Sequence, residues 1–248
     1  MPTPLSFKNL SLPERVYRGF RWAGAYAPIL MLFFTILLIG SLSRTLLVAW
    51  QFDRVAETSV WPGIFLHGLR ADLIIAGMAV APLLLLLPIL SHRFSWAVWR
   101  RVTGLWATIA VFTFLFMELS TPTFIAEYDT RPNRLFIEYL NYPKEVLSML
   151  WEGYLPTVAI GIFLCVSLTI LFAWLMHPWA RETFTGNYRK AILVWPIVAL
   201  AVFMSVRSTT GHRPANPAMF ALTSDALVNS LIINSTWSVA FAIYNLKH

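Results

Sequence analysis

Long runs without charged side chains alternate with short polar segments along most of this chain. A helix crosses a hydrocarbon core of about 30 Å with about 20 residues, because each residue rises about 1.5 Å. Five charge-free runs reach or approach this length once their flanking residues are included. The pattern therefore predicts an all-α polytopic membrane protein with a five-helix transmembrane bundle in residues 1–206. The predicted spans lie at about 24–43, 73–91, 102–121, 156–176 and 191–206.

Composition supports this class and excludes others. The 248 residues are 58% hydrophobic and 12% charged, whereas soluble domains are nearer half apolar and a quarter charged. The net charge of +7 does not indicate nucleic-acid binding, because no basic run with interleaved aromatic residues occurs. Cys165 is the only cysteine, so the chain cannot form an internal disulfide or a zinc site built from cysteines.

The basic residues predict the orientation of the helices. Segments 1–21, 93–101 and 177–190 together hold ten of the nineteen Lys and Arg residues but only two of the twelve acids. Cytoplasmic loops of membrane proteins are enriched in Lys and Arg. We therefore expect the N-terminus to be cytoplasmic and the C-terminus to be extracytoplasmic.

Two predicted outer segments are long. In the first, apolar residues recur at helical spacing around Pro143, which predicts two short amphipathic helices at about 134–152 in the headgroup region. The second, 207–248, is predicted to be an extracytoplasmic linker. Its charge-free part, 226–246, has two interpretations: an interfacial or exposed helix, or a sixth span. Several Asn, Ser and Thr side chains argue against the span, because each would need a partner in lipid.

Three outer stretches combine arginine with turn residues: "GLRAD" at 68–72, "EYDTRPN" at 127–133 and "RSTTGHRPAN" at 207–216. The planar fork of arginine suits a lipid phosphate, proline fixes a turn and asparagine adds neutral donors. These stretches could form a headgroup pocket, or their charges could pair to fasten loops to the bundle. Glu118, inside the third span, is either a site residue or the structural partner of an arginine such as Arg44 or Arg70.

Longer stretches around these motifs carry a family resemblance. They read "GLRADL", "AEYDTRPNRLFIEYLNYPKEVLSMLWEGY" and "RSTTGHRPANPAMFALTSDALVNSLIINSTWS". Together they resemble the membrane portion of bacterial lipoteichoic-acid-synthase-like phosphoglycerol transferases, which belong to the alkaline-phosphatase/sulfatase superfamily. The resemblance covers most of residues 64–248 and is closer to the Gram-negative members. It implies a location in the bacterial cytoplasmic (inner) membrane.

The resemblance also implies an activity. Family members have five transmembrane helices, a helical extracytoplasmic linker and an α/β catalytic domain with a threonine nucleophile and Mn or Mg. They transfer the headgroup of a lipid such as phosphatidylglycerol to an acceptor, and for this chain the resemblance implies a phosphoglycerol or phosphoethanolamine transferase. No position here matches a catalytic or metal residue, so we expect the catalytic domain and its metal to lie outside this chain, which alone should show no turnover.

The candidate site residues are those that fall in these outer stretches, together with Glu118. They would contact an anionic phospholipid or dock the catalytic domain. They are Arg70, Asp72, Glu118, Glu127, Asp129, Arg131, Asn133, Tyr139, Arg207, His212, Arg213, Asn216 and Asn229.

Two other functions stay open at this stage. The chain could be a stand-alone lipid-binding or transport protein, although transporters usually carry polar residues near the membrane midplane and the midspan regions here are almost wholly apolar. It could also be a regulatory partner of a full-length homologue.

Overall fold

A computed structural model describes residues 10–184, 188–209 and 215–246, and every regular element in those ranges is helical. Twelve α-helices are described: α1 Leu12–Phe20, α2 Ala27–Trp50, α3 Phe52–Thr58, α4 Trp61–Leu90, α5 Trp96–Tyr128, α6 Arg134–Tyr139, α7 Pro143–Gly153, α8 Leu155–Leu175, α9 His177–Ala180, α10 Tyr188–Arg207, α11 Ala226–Ile232 and α12 Ser235–Leu246. Short 3₁₀ segments lie at Arg21–Tyr26 and Pro217–Phe220.

The five predicted spans are confirmed as helices long and apolar enough to cross a membrane: α2, α4, α5, α8 and α10. Several helices extend beyond the charge-free runs that predicted them. Asp72 and Glu118, expected near span ends, lie well inside α4 and α5. Both carboxylates are buried against arginines, and this pairing allows the helices to continue through them.

The long helices pack as a layer in the order α8, α5, α2, α4 and α10, and most buried residues lie on α2, α4 and α5. Hydrogen bonds between helices satisfy backbone groups that proline releases. Pro88 has no N–H for the carbonyl of Leu84, and the indole N–H of Trp195 donates to that carbonyl at 2.8 Å. This bond joins α10 to α4 where water would not supply a donor.

The N-terminal helix α1 turns away from α2 at Gly24. This glycine has φ 56° and ψ −121°, a conformation that residues with a Cβ rarely adopt. The turn lets α1 pack against α8 and α9, with Tyr17 buried against Trp179 at a ring-centroid distance of 6.3 Å. The basic segment before the first span is therefore partly an ordered helix.

Gly24→Ala should destabilise this turn. A Cβ would meet no neighbour within 4 Å, so the cost comes from the backbone conformation alone and should be about 1–3 kcal/mol. The check is the midpoint of thermal unfolding in detergent. Gly19→Ala is the control, since it also has open space around it but lies within α1 at ordinary helical dihedrals. Equal midpoints for both variants would contradict the assignment.

The segment predicted to form two short helices at about 134–152 does form two, α6 and α7, separated near Pro143. Neither contains a buried residue. Large apolar side chains of α7, among them Leu147 and Trp151, are mostly exposed. The structure therefore shows both predicted helices.

Residues 226–246 form neither a straight sixth helix nor an exposed surface helix. They form α11 and α12, whose axes bend by 104° at Ile233–Asn234. Four apolar residues of α11 are completely buried, where it packs against α2 and α4: Leu227, Val228, Leu231 and Ile232. Helix α12 then leaves along α5 toward α6. Polar side chains at the bend explain this arrangement, because they find partners inside the bundle.

Candidate functional site

The predicted outer stretches meet at one end of the bundle. Here α2 ends, α4 begins, and α5 and α10 end; we call it the Arg54 end, and the opposite end, where α4 passes into α5, the Trp96 end. Two buried ion pairs and an exposed arginine clasp lie at the Arg54 end, together with an arginine, Arg70, that has no carboxylate partner among the described residues.

The first buried ion pair joins α2 to α4. Arg44 donates from both terminal nitrogens to the two carboxylate oxygens of Asp72, at 2.8 and 2.9 Å, and the two side chains are 1% and 0% exposed. Two glycines provide the space. A Cβ on Gly68 would lie 2.1 Å from Nε of Arg44, and a Cβ on Gly40 would lie 2.7 Å from the Asp72 carboxylate. The pair therefore occupies a cradle that only glycine leaves open.

The second buried ion pair joins α5 to the turn after it. Arg131 Nη1 donates to both carboxylate oxygens of Glu118, at 3.1 and 2.9 Å, and both residues are buried. The expectation that Arg44 or Arg70 would pair with Glu118 was therefore wrong about the partner. Arg44 already pairs with Asp72. The turn after α5, where Asp129 has a left-handed conformation, brings Arg131 back to Glu118. The structural interpretation of Glu118 is the one this geometry supports.

The bend between α11 and α12 rests on both ion pairs. Asn234 Nδ2 donates to Asp72 Oδ1 at 3.2 Å, and the backbone N–H of Ser235 donates to Glu118 Oε1 at 2.9 Å. Arg44 Nε donates to the carbonyl of Ile232 at 3.3 Å. Each buried charge that faces the bend thus finds a polar group there, so the two pairs and the bend form one connected network.

An exposed arginine clasp lies above this network. Arg54 on α3 donates to both carboxylate oxygens of Asp129, at 2.6 and 2.9 Å, and to Asp225 Oδ2 at 2.5 Å. Asp225 also caps α11 by accepting from the N–H of Val228. Burial alone would raise the pKa of Asp225, but the hydrogen bonds from Arg54 and Val228 outweigh it and hold that pKa below its usual value. The clasp ties α3, the end of α5 and the start of α11 together.

Arg70 is the arginine of the GLRAD stretch, and no carboxylate of the described residues lies within ion-pair distance of it. Its Nε donates to the carbonyl and hydroxyl oxygens of Ser208, both at 2.9 Å, and its guanidinium lies 5.6 Å from the centre of the Phe220 ring. In the segment between α10 and Phe220, the side-chain oxygen of Asn216 is buried and accepts no hydrogen bond from the described residues. Arg207 ends α10, with its Nε donating to the carbonyl of Thr209. This side of the Arg54 end is basic.

The other candidate residues have local structural roles or lie elsewhere. Glu127 accepts a hydrogen bond from the hydroxyl of Tyr154 at 2.7 Å, which raises the pKa of Tyr154. Asn133 caps α6, Tyr139 packs on Tyr128, and the Asn229 side chain closes the loop before α11 through Leu222 and Thr223. His212 and Arg213 lie outside the described residues.

Two grooves flank α3. An apolar groove of about 560 Å³ is lined by Val48, Phe52, Val55, Ala56, Ser59, Trp61 and Phe65. A polar groove of about 460 Å³ on the opposite face includes Arg54, Glu57 and Asp225. The guanidinium of Arg54 is paired with Asp129 and Asp225, and Glu57 adds a further negative charge to the lining, so this groove is unsuited to an anionic headgroup. The basic side around Arg70 suits one better.

Sequence reasoning missed several residues of this site: Arg54, Asp225, Asn234 and Ser235. Their residue types do not distinguish them, because serine and asparagine are common in polar linkers. Only the bend in the folded chain brings Asn234 and Ser235 into contact with buried charges. Among the described residues, no three His, Cys, Asp or Glu side chains are grouped so that they could hold a metal ion. The divalent metal that the resemblance implies therefore has no fitting set of ligands in these segments.

A comparison with known families and folds adds no identification. No protein-family model matches this chain, and no solved structure matches it.

Proposed function

We propose that this chain is the membrane-embedded part of an extracytoplasmic headgroup transferase of the lipoteichoic-acid-synthase type, and that it presents an anionic phospholipid such as phosphatidylglycerol. The transfer would break the phosphate–oxygen bond to diacylglycerol and form a new one to an acceptor hydroxyl, whose proton passes to the diacylglycerol oxygen. Within this scheme the chain binds and orients the donor lipid. The chemistry and the Mn or Mg belong to the catalytic domain that the resemblance implies.

The observation that carries this proposal is the state of Arg70. Arg44, Arg54 and Arg131 are neutralised by carboxylates. Within the segments that the structure describes, Arg70 contacts neutral oxygens and an aromatic ring but no carboxylate. A guanidinium has five N–H donors, so these contacts leave capacity for a phosphate oxygen. The apolar groove beside α3, at the same end of the bundle, would suit an acyl chain.

Helix α7 fits the same proposal as an interfacial helix. Val146, Leu147, Leu150 and Trp151 recur at helical spacing, and the opposite surface of α7 carries the polar residues Glu145, Ser148 and Glu152. In this position α7 would lie in the headgroup region on the extracytoplasmic side of a bacterial inner membrane and hold the Arg54 end at that depth. Its exposed tryptophan is typical of a membrane–water interface.

Transport is less well supported than lipid presentation. Transporters that use a broken helix leave its two ends open toward a substrate or ion. In this chain the break at Ile233–Asn234 is occupied by the protein's own charges, Arg44 and Glu118. No observation favours transport over the first proposal.

Arg70→Gln should reduce binding of the anionic lipid. Glutamine can still contact Ser208 but brings no positive charge to a phosphate, so we expect five- to tenfold less phosphatidylglycerol to co-purify, or about 1.0–1.4 kcal/mol in binding free energy. The measurement is native mass spectrometry of the protein extracted from vesicles that contain equal amounts of phosphatidylglycerol and phosphatidylcholine. Phosphatidylcholine retention should not change.

Arg134→Gln is the matched control. Arg134 lies at the same end of the bundle and pairs with exposed Glu138, so its removal should leave lipid retention unchanged. Equal phosphatidylglycerol retention in the parent chain, Arg70→Gln and Arg134→Gln would overturn the role of Arg70. Retention of phosphatidylcholine equal to or above that of phosphatidylglycerol by the parent chain would overturn the anionic donor.

A further inference from the structure

We infer that Asn234 determines the topology of the C-terminal segment, by holding residues 226–246 as a re-entrant helix pair that would otherwise form a sixth transmembrane helix. The inference is independent of the proposed function. It concerns which side of the membrane Leu246 reaches, and it applies to any protein that uses this bundle.

Nothing in the covalent chain forces the bend. Residues 226–246 contain no glycine, no proline and no charged residue. As one helix, these 21 residues would extend about 31 Å, enough to cross a hydrocarbon core. The break must therefore come from side chains that satisfy the interrupted backbone.

Asn234 supplies the local part of that break. Its side-chain oxygen accepts from the N–H of Trp237 at 2.9 Å, which is the bond that an N-cap residue makes at the start of a helix. Its amide nitrogen donates to the carbonyl of Ala71 and to Asp72 on α4. One buried side chain therefore starts α12 and attaches it to the bundle.

The buried ion pairs supply the electrostatic part. The carbonyl end of α11 carries partial negative charge and meets Arg44, whereas the N–H end of α12 carries partial positive charge and meets Glu118. The two helix ends and the two charges are complementary in sign. In a straight helix these backbone groups would bond to one another, and Arg44 and Glu118 would each lose a partner.

In the bent form, the C-terminal segment begins and ends at the Arg54 end of the bundle. Helix α11 starts at Asp225, held by Arg54 at the Arg54 end, and α12 runs from the bend toward α6 at that same end. A straight helix would instead carry Leu246 toward the Trp96 end. The two forms therefore place Leu246 on opposite sides of the membrane.

Cysteine labelling distinguishes the two forms. Cys165→Ala provides a background without other cysteines, and single cysteines are placed at Leu246, at Leu147 as the Arg54-end reference and at Phe94 as the Trp96-end reference. A membrane-impermeant maleimide is added to sealed, oriented vesicles. We expect Leu246→Cys to be labelled from the same side of the membrane as Leu147→Cys. When Asn234→Leu is added, the fraction of Leu246→Cys that is labelled from the same side as Phe94→Cys should rise at least tenfold.

Two further variants separate the contributions. Asn245→Leu makes the same change in the same helix at an exposed position and should leave the labelling side unchanged. Asn234→Ser keeps an N-cap oxygen but loses the reach to Asp72, so it should remain largely bent. Only the monodisperse fraction from size exclusion is compared; if Asn234→Leu yields none, Asn234→Ala is used in its place.

Two results would overturn the inference. The first is a Leu246→Cys that labels like Phe94→Cys in the otherwise unchanged chain. The second is a folded Asn234→Leu whose labelling side does not differ from that of Asn245→Leu.

Discussion

Asp72→Asn is expected to lower the free energy of unfolding by about 3–5 kcal/mol, because it leaves the buried guanidinium of Arg44 without a counter-charge. Arg44 is 1% exposed and has no route to water that would keep its charge solvated. The variant also perturbs the attachment of Asn234, which donates to the same carboxylate. The measurement is the denaturant or thermal unfolding midpoint of the protein in a mild detergent.

Glu138→Gln is the control for this prediction. It breaks the Arg134–Glu138 ion pair, whose side chains are 69% and 45% exposed, and exposed pairs contribute only about 0–1 kcal/mol. A small and equal effect of the two variants would mean that the Arg44–Asp72 pair is hydrated in the membrane protein, contrary to the structure.

Gly68→Ala is expected to cost about 3 kcal/mol, at the upper end of the range for overpacking. The new Cβ would lie 2.1 Å from Nε and 2.3 Å from Cζ of Arg44. That guanidinium cannot move aside without breaking both hydrogen bonds to Asp72 and the one to Ile232. The measurement is again the unfolding midpoint in a mild detergent. In addition, the backbone amides of α11 should exchange hydrogen faster in Gly68→Ala than in the parent chain.

Gly104→Ala provides the opposite expectation. A Cβ at Gly104, inside α5, would meet nothing within 4 Å, so the higher helix propensity of alanine should leave stability unchanged or raise it by up to about 1 kcal/mol. If Gly68→Ala were as stable as Gly104→Ala, the cradle around Arg44 would not exist.

The sequence predicted the helical architecture well because the signal is local. A charge-free run of about 20 residues satisfies its own backbone hydrogen bonds only as a helix in lipid. The same logic failed at span ends. The predicted second span begins just after Asp72, and Glu118 is predicted near the outer end of the third span, yet each lies well inside a helix because an arginine compensates its charge.

The partners of those charges could not be predicted, because pairing depends on helix packing. Several arginines lie near the Arg54 end, and nothing in their spacing selects Arg44 for Asp72 or Arg131 for Glu118. The bend at Ile233–Asn234 was missed for the same reason. The sequence shows only that Asn234 interrupts an apolar run. Its hydrogen bond to Asp72 depends on how the helices pack.

The structure gives several of the candidate residues structural roles. Asp72, Glu118 and Arg131 form the internal scaffold, and Asp129 belongs to the clasp with Arg54. Their location at one end explains how stretches that are distant in sequence come together. What stays available for a ligand is the basic side around Arg70, on which the proposed lipid-presenting role rests.

Headgroup transfer tests the proposed function most directly. Membranes from the source organism, with and without the gene, are incubated with phosphatidylglycerol labelled in its headgroup glycerol, and label leaving the lipid is measured together with diacylglycerol. The proposal predicts gene-dependent transfer with an equal amount of diacylglycerol, restored by the parent gene and reduced at least fivefold when it carries Arg70→Gln. Equal transfer from membranes with and without the gene would contradict the proposal.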